Sequence, residues 1–118
     1  MQRDLDLIRQ ILLEVEKHDD PLRAIPVGAE GHSAQEVSHH VMLLKQAGYV
    51  TATDLSHLRG LAWTPKSLTW EGHEFLEAAR NPTIWDQVKA TLQDRVVDTP
   101  LSVIQKLATR LVSKGASL

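Results

Sequence analysis

The chain of 118 residues carries 13 Lys and Arg against 15 Asp and Glu, a net charge of −2 with histidine neutral, and has no cysteine. That length suits one domain, since single cores run to about 100–200 residues, and 42% hydrophobic residues are typical of a folded globule. The missing cysteines exclude a disulfide scaffold, a thiolate metal site and a cysteine nucleophile, and the near-neutral charge argues against a strongly basic nucleic-acid binder, leaving room only for a local basic patch.

No apolar run approaches the ~18 residues of a membrane span, and no signal-peptide core follows Met1. A cytoplasmic address and no membrane partner are therefore expected. Arg3 to His18 read as an opening helix, because Leu5, Ile8, Ile11, Leu12 and Val15 recur at helical spacing. Asp4 and Asp6 suit its positive end, and Asp19-Asp20-Pro21 stops it. Leu22 to Gly31 holds Pro26, Gly28 and Gly31, which leaves room for a short strand over Arg23–Val27 and a turn. Ser33 and Glu36 form a capping-box pair that opens a second helix, which should run to Ala47 and end at Gly48. Ala34, Val37, Val41 and Leu44 should face its core side.

After Gly48 the period changes to that of a strand, Tyr49 to Thr53, and Leu61 to Thr64 can return antiparallel past the turn residues Ser56–Gly60. Three helices follow from their punctuation. Thr69 can cap Trp70–Arg80, while Asn81-Pro82 and Thr99-Pro100 each place a capping side chain before a first-turn proline, predicting helices over Pro82–Val96 and Pro100–Lys114. A helix that feeds a two-stranded hairpin is the arrangement of a winged helix.

Three blocks are similar to a bacterial and prophage family known only as a domain of unknown function. They are Met1-Gln2-Arg3-Asp4-Leu5-Asp6-Leu7-Ile8-Arg9-Gln10-Ile11-Leu12-Leu13-Glu14, then His40-Val41-Met42-Leu43-Leu44-Lys45-Gln46-Ala47-Gly48, and the more specific Leu68-Thr69-Trp70-Glu71-Gly72-His73-Glu74-Phe75-Leu76. The resemblance covers the chain to about Trp85. It implies a winged-helix-like fold and an association with phage or other mobile elements, and it carries no catalytic residue or ligand onto any position. One departure from DNA-binding winged helices stands out: between His18 and Ser33 there is no bracing helix of the usual length.

The second helix is the candidate reading helix. Its outward side carries Gln35, His39, Met42 and Gln46, flanked by Ser38 and Lys45, residue types that read base edges or hold phosphates. Arg59 at the hairpin tip and Lys66 would supply a wing's phosphate contacts, too few for tight binding alone. No metal or other cofactor is expected. His73 and Glu77 stand at i, i+4 without the second histidine of a zinc-protease helix, and the adjacent His39 and His40 point to different faces. Glu71, Glu74 and Glu77 should simply face water. With no nucleophile elbow and no glycine-rich phosphate loop, the chain is not expected to be an enzyme. Trp70 and Phe75 are expected to pin their helix against the first. In the last helix Leu101, Ile104, Leu107, Ala108 and Leu111 share a face, and Lys106, Arg110 and Lys114 fall at i, i+4, i+8. Leu101, Ile104, Leu107 and Leu111 are the candidate homodimer interface, and deletion of Pro100–Leu118 would then leave a folded monomer.

The resulting expectation is an α+β, mainly helical, winged-helix-like domain with a hairpin wing, residues 1–80 forming the core and 81–118 a helical extension of the same domain. Two functions fit. One is a small regulator of phage or prophage type that binds double-stranded DNA through Gln35, Ser38, His39, Lys45, Arg59 and Lys66. The other is a protein-directed module that uses the same face on a host protein, such as a phage-encoded, anti-CRISPR-like inhibitor of a host defence or an inhibitor of a transcription complex.

Overall fold

The computed structural model describes residues 2–18, 29–54 and 63–116. The architecture is α+β and mainly helical, with one antiparallel hairpin among the described residues. Two compact units can be distinguished, Met1–His73 and Glu74–Leu118. Among the described residues no helix is long and apolar enough to cross a membrane.

The first unit opens with α1 (Leu5–Glu16), which begins where Asp4 caps it. The Asp4 carboxylate accepts from the backbone N–H groups of Asp6 and Leu7 at 3.0 and 3.2 Å, so Asp4 is the cap itself rather than part of the first turn. The apolar stripe is buried, and Leu7 joins it, wholly inaccessible. The strand expected over Arg23–Val27 lies outside the described residues. Next comes α2 (Ala34–Gln46), where Ser33 Oγ accepts from Glu36 N–H at 3.0 Å. Gly48 ends it at a φ of +84°, the left-handed position that glycine occupies without strain. Val37, Val41 and Leu44 are buried, whereas Ala34, one turn too early to be covered, is exposed.

The hairpin consists of β1 (Val50–Asp54) and β2 (Trp63–Leu68), and β2 runs four residues past the expected stop at Thr64. Val50 pairs with Leu68 and Thr51 with Ser67, but Ala52 pairs with Pro65. Lys66 is therefore the extra residue of a β-bulge, and the bulge is what lets a proline remain inside the strand. α1 and α2 pack on each other and both meet β2.

The hairpin leads into α3 (Trp70–Ala79) through a tight junction. Thr69 donates its N–H to Tyr49 O at 3.1 Å and its hydroxyl to Gly48 O at 2.5 Å, while Thr69 Oγ1 accepts from Gly72 N–H at 3.1 Å. Gly72 is buried there, and a Cβ on it would lie 2.0 Å from the Tyr49 carbonyl oxygen.

In the second unit α4 (Pro82–Leu92) starts at Asn81, whose side chain accepts from Thr83 and Ile84 N–H at 2.8 and 3.3 Å. It ends short of the expected Val96, since Gln93 takes a φ of +53° and the chain tightens into a 3-10 turn over Gln93–Val97. The Thr99 hydroxyl donates back to Arg95 O at 2.7 Å. α5 (Leu101–Ala116) packs on α4. Phe75 meets Trp85 edge-to-face, centroids 6.3 Å apart, and both are buried with Val88, Ile104 and Ala108. Trp70 corrects the expectation that it and Phe75 together pin α3 against α1: Trp70 is 74% exposed, and the ring that Phe75 meets is Trp85 of α4.

Candidate functional site

The outward side of α2 keeps most of its predicted set. Gln35, Lys45 and Gln46 are exposed and His39 is half-buried. The Lys45 ammonium stands 5.9 Å from the centroid of the Trp63 ring on β2, a cation–π contact that fixes a positive charge where helix and hairpin meet. Lys66 follows on the same strand, half-buried in the bulge. Ser38 is a correction. It is buried and its hydroxyl accepts from the Trp63 N–H at 2.5 Å, which makes it an internal brace between α2 and β2 rather than a surface contact. Arg59 lies outside the described residues. Burial lowers the pKa of His39, because it disfavours the charged form of the ring. The His39 and His40 rings meet edge-on, centroids 5.7 Å apart.

A second cluster joins the N-terminal ends of α1 and α2. His32 Nδ1 lies 2.8 Å from Glu36 Oε1, and His32 Nε2 lies 4.0 Å from Asp4 Oδ2. Beneath it, the wholly buried His40 accepts the Asp4 backbone N–H at Nε2, 2.8 Å away. A backbone amide can only donate, so Nε2 is bare, the proton sits on Nδ1, and that nitrogen donates to Glu36 O at 2.8 Å. His32 and Glu36 stand at i, i+4, a spacing visible in the sequence. Asp4 comes from another helix, and no local pattern announces it.

The model of a family described as "Hypothetical protein (DUF2513)" matches residues 2–98 of the chain. The chain belongs to this family. The match runs past Trp85, through the whole of α4, and stops before α5. An uncharacterized protein of Haemophilus influenzae is 36% identical to this DUF2513 chain over 115 residues, covering 97% of this chain and 98% of that protein. No solved structure matches it.

The last helix of the DUF2513 chain sorts its expected interface into two sets. Ile104 is wholly buried within the chain's own fold, together with Ala108, and so leaves the candidate dimer surface. Leu101, Leu107 and Leu111 are half-buried, and Val103, in line with Leu107 and Leu111 at i, i+4, i+8, is 46% exposed. The remaining apolar strip runs beside Lys106, Arg110 and Lys114.

Proposed function

We propose that the α2–hairpin unit is a winged-helix-like, non-enzymatic module that binds double-stranded DNA, acting as a small regulator of the kind that phages and prophages carry. The observation that supports this reading is the Lys45–Trp63 contact, which sets a cation at the seam between the exposed face of α2 and the hairpin. From there Gln35, His39 and Gln46 face outward for base edges, and Lys45, Lys66 and Arg59 serve the phosphates. About three to five phosphates neutralised per chain give weak binding with a shallow salt dependence, a log–log slope of about −2.7 to −4.5. Useful affinity then needs two chains on half-sites about one helical turn apart.

The test is fluorescence anisotropy with the protein's own promoter region and a random duplex at low salt. Binding that Lys45→Glu reduces at least tenfold supports the reading. No complex with either duplex from well-folded protein refutes it.

A protein partner is the second reading, and one observation favours it. Trp70, 74% exposed, is a large aromatic set beside the exposed acids Glu71 and Glu74, which suit a protein partner better than a nucleic acid. Trp70→Ala leaves DNA affinity unchanged under the first reading and removes partner capture under the second.

A further inference from the structure

Two carboxylates and one imidazole converge where the N-termini of α1 and α2 meet. Asp4 Oδ1 is held by the N–H groups of Asp6 and Leu7, which leaves Oδ2 as the oxygen nearer His32. Glu36 Oε1 lies 2.8 Å from His32 Nδ1, and Asp4 Oδ2 lies 4.0 Å from His32 Nε2, so one nitrogen donor and two oxygen donors from separate elements gather at one place.

We propose that Asp4, His32 and Glu36 form a site for one divalent cation of the zinc class, tying the start of α1 to the start of α2. Each residue offers one ligand atom, and the three atoms lie within 4.8 Å of one another. Bonds of about 2.0–2.2 Å to zinc place tetrahedral ligand atoms roughly 3.3–3.6 Å apart, so the wider separations here have to close by up to about an ångström, and the half-exposed carboxylates have the rotational freedom to adjust. The donor set selects the ion: an imidazole nitrogen disfavours magnesium and calcium, and two carboxylate oxygens are too few for calcium. Three protein ligands leave a fourth position to water. The backbone under the site is already fixed independently of any ion, because buried His40 bonds both the Asp4 amide and the Glu36 carbonyl. The positive ends of the two helices oppose a cation in part, but two full negative charges outweigh two half-charges. Among the described residues, neither His73 with Glu77 nor His39 with His40 gathers a third ligand in this way.

The experiment is a calorimetric titration of the tag-free, full-length protein with Zn²⁺, paired with the visible spectrum of the Co²⁺-loaded protein. One Zn²⁺ per chain is expected, with a Tm that rises with metal concentration, since an ion that binds only the folded state stabilises it by mass action. His32→Gln and Glu36→Gln each weaken binding at least tenfold and erase the Co²⁺ ligand-field bands. Asp4→Asn does the same while keeping the α1 cap, because the asparagine oxygen accepts the same two N–H groups, so its metal-free melting stays near wild type. His73→Gln leaves the titration unchanged. The absence of saturable Zn²⁺ binding, or binding undiminished in His32→Gln, overturns the proposal.

Discussion

At the scale of single residues, the junction between hairpin and α3 leaves no room for a larger residue at Gly72. A methyl group on Gly72 meets the Tyr49 carbonyl oxygen at 2.0 Å, and that oxygen already accepts the Thr69 amide. Backbone cannot step aside as a flexible side chain would. Gly72→Ala should therefore cost about 1–3 kcal/mol or more, the range of overpacked cores, seen as a lower midpoint in urea unfolding. Titration adds a second, signed expectation. The folded state holds the His39 proton more weakly than the unfolded chain does, through burial. The unfolded chain thus binds more protons below its imidazole value of about 6.5, and this contribution to stability, full above that pH, is lost as pH falls from there through the lower folded value. Tyr49 acts at the other end. Burial, then Glu71, raises its phenol pKa, so its contribution is full below about pH 10 and is lost as pH rises through the folded value. Chemical unfolding followed from pH 8 to pH 5 should show a decline that is flatter in His39→Gln. An identical slope in both proteins contradicts the assignment to His39.

At the scale of elements, helix ends were the most legible feature, because a cap is a local bargain between a side chain and amides two or three residues on. Asp4, Ser33, Thr69 and Asn81 all accept such amides. Asn81→Ala should accordingly lower stability by about 1 kcal/mol, with the loss read in thermal melting, while Asn81→Asp, which keeps the acceptor, should stay within a few tenths. What sequence left hidden is what depends on a distant partner. The sequence pattern ends the return strand at Thr64, yet a bulge at Lys66 carries β2 past Pro65 to Leu68. Ser38 reads as an outward hydroxyl until the Trp63 amide arrives to donate to it. Trp70 and Phe75 share one helix and look like equal anchors, but only Phe75 finds a ring to meet. The Asp4–His32–Glu36 cluster is the extreme case: two members lie one helical turn apart and the third on another helix.

At the scale of the whole molecule, the open question is what covers α5. Its Ile104 and Ala108 are already buried inside the chain, so the helix is part of a core and not a detachable arm. Deleting Pro100–Leu118 should therefore unfold the second unit by exposing the α4 surface that α5 packs on, contrary to the folded monomer that the sequence pattern suggests. The test of association has to leave the core intact. Val103, Leu107 and Leu111 stand in line along one side of the helix, partly open to solvent, with Lys106, Arg110 and Lys114 beside them. A two-fold pairing of this strip buries the apolar line and spreads the flanking cations along the rim, as an isologous contact requires. If such pairing forms, Leu107→Lys with Leu111→Lys should convert a dimer to a monomer while keeping the circular dichroism of the parent, because neither side chain is fully buried in the chain's own core. Multi-angle light scattering across a hundredfold concentration range decides it. A wild-type protein that stays at the 13.2 kDa of one chain throughout excludes a dimer through this strip, and two-half-site DNA binding would then have to be assembled on the DNA itself.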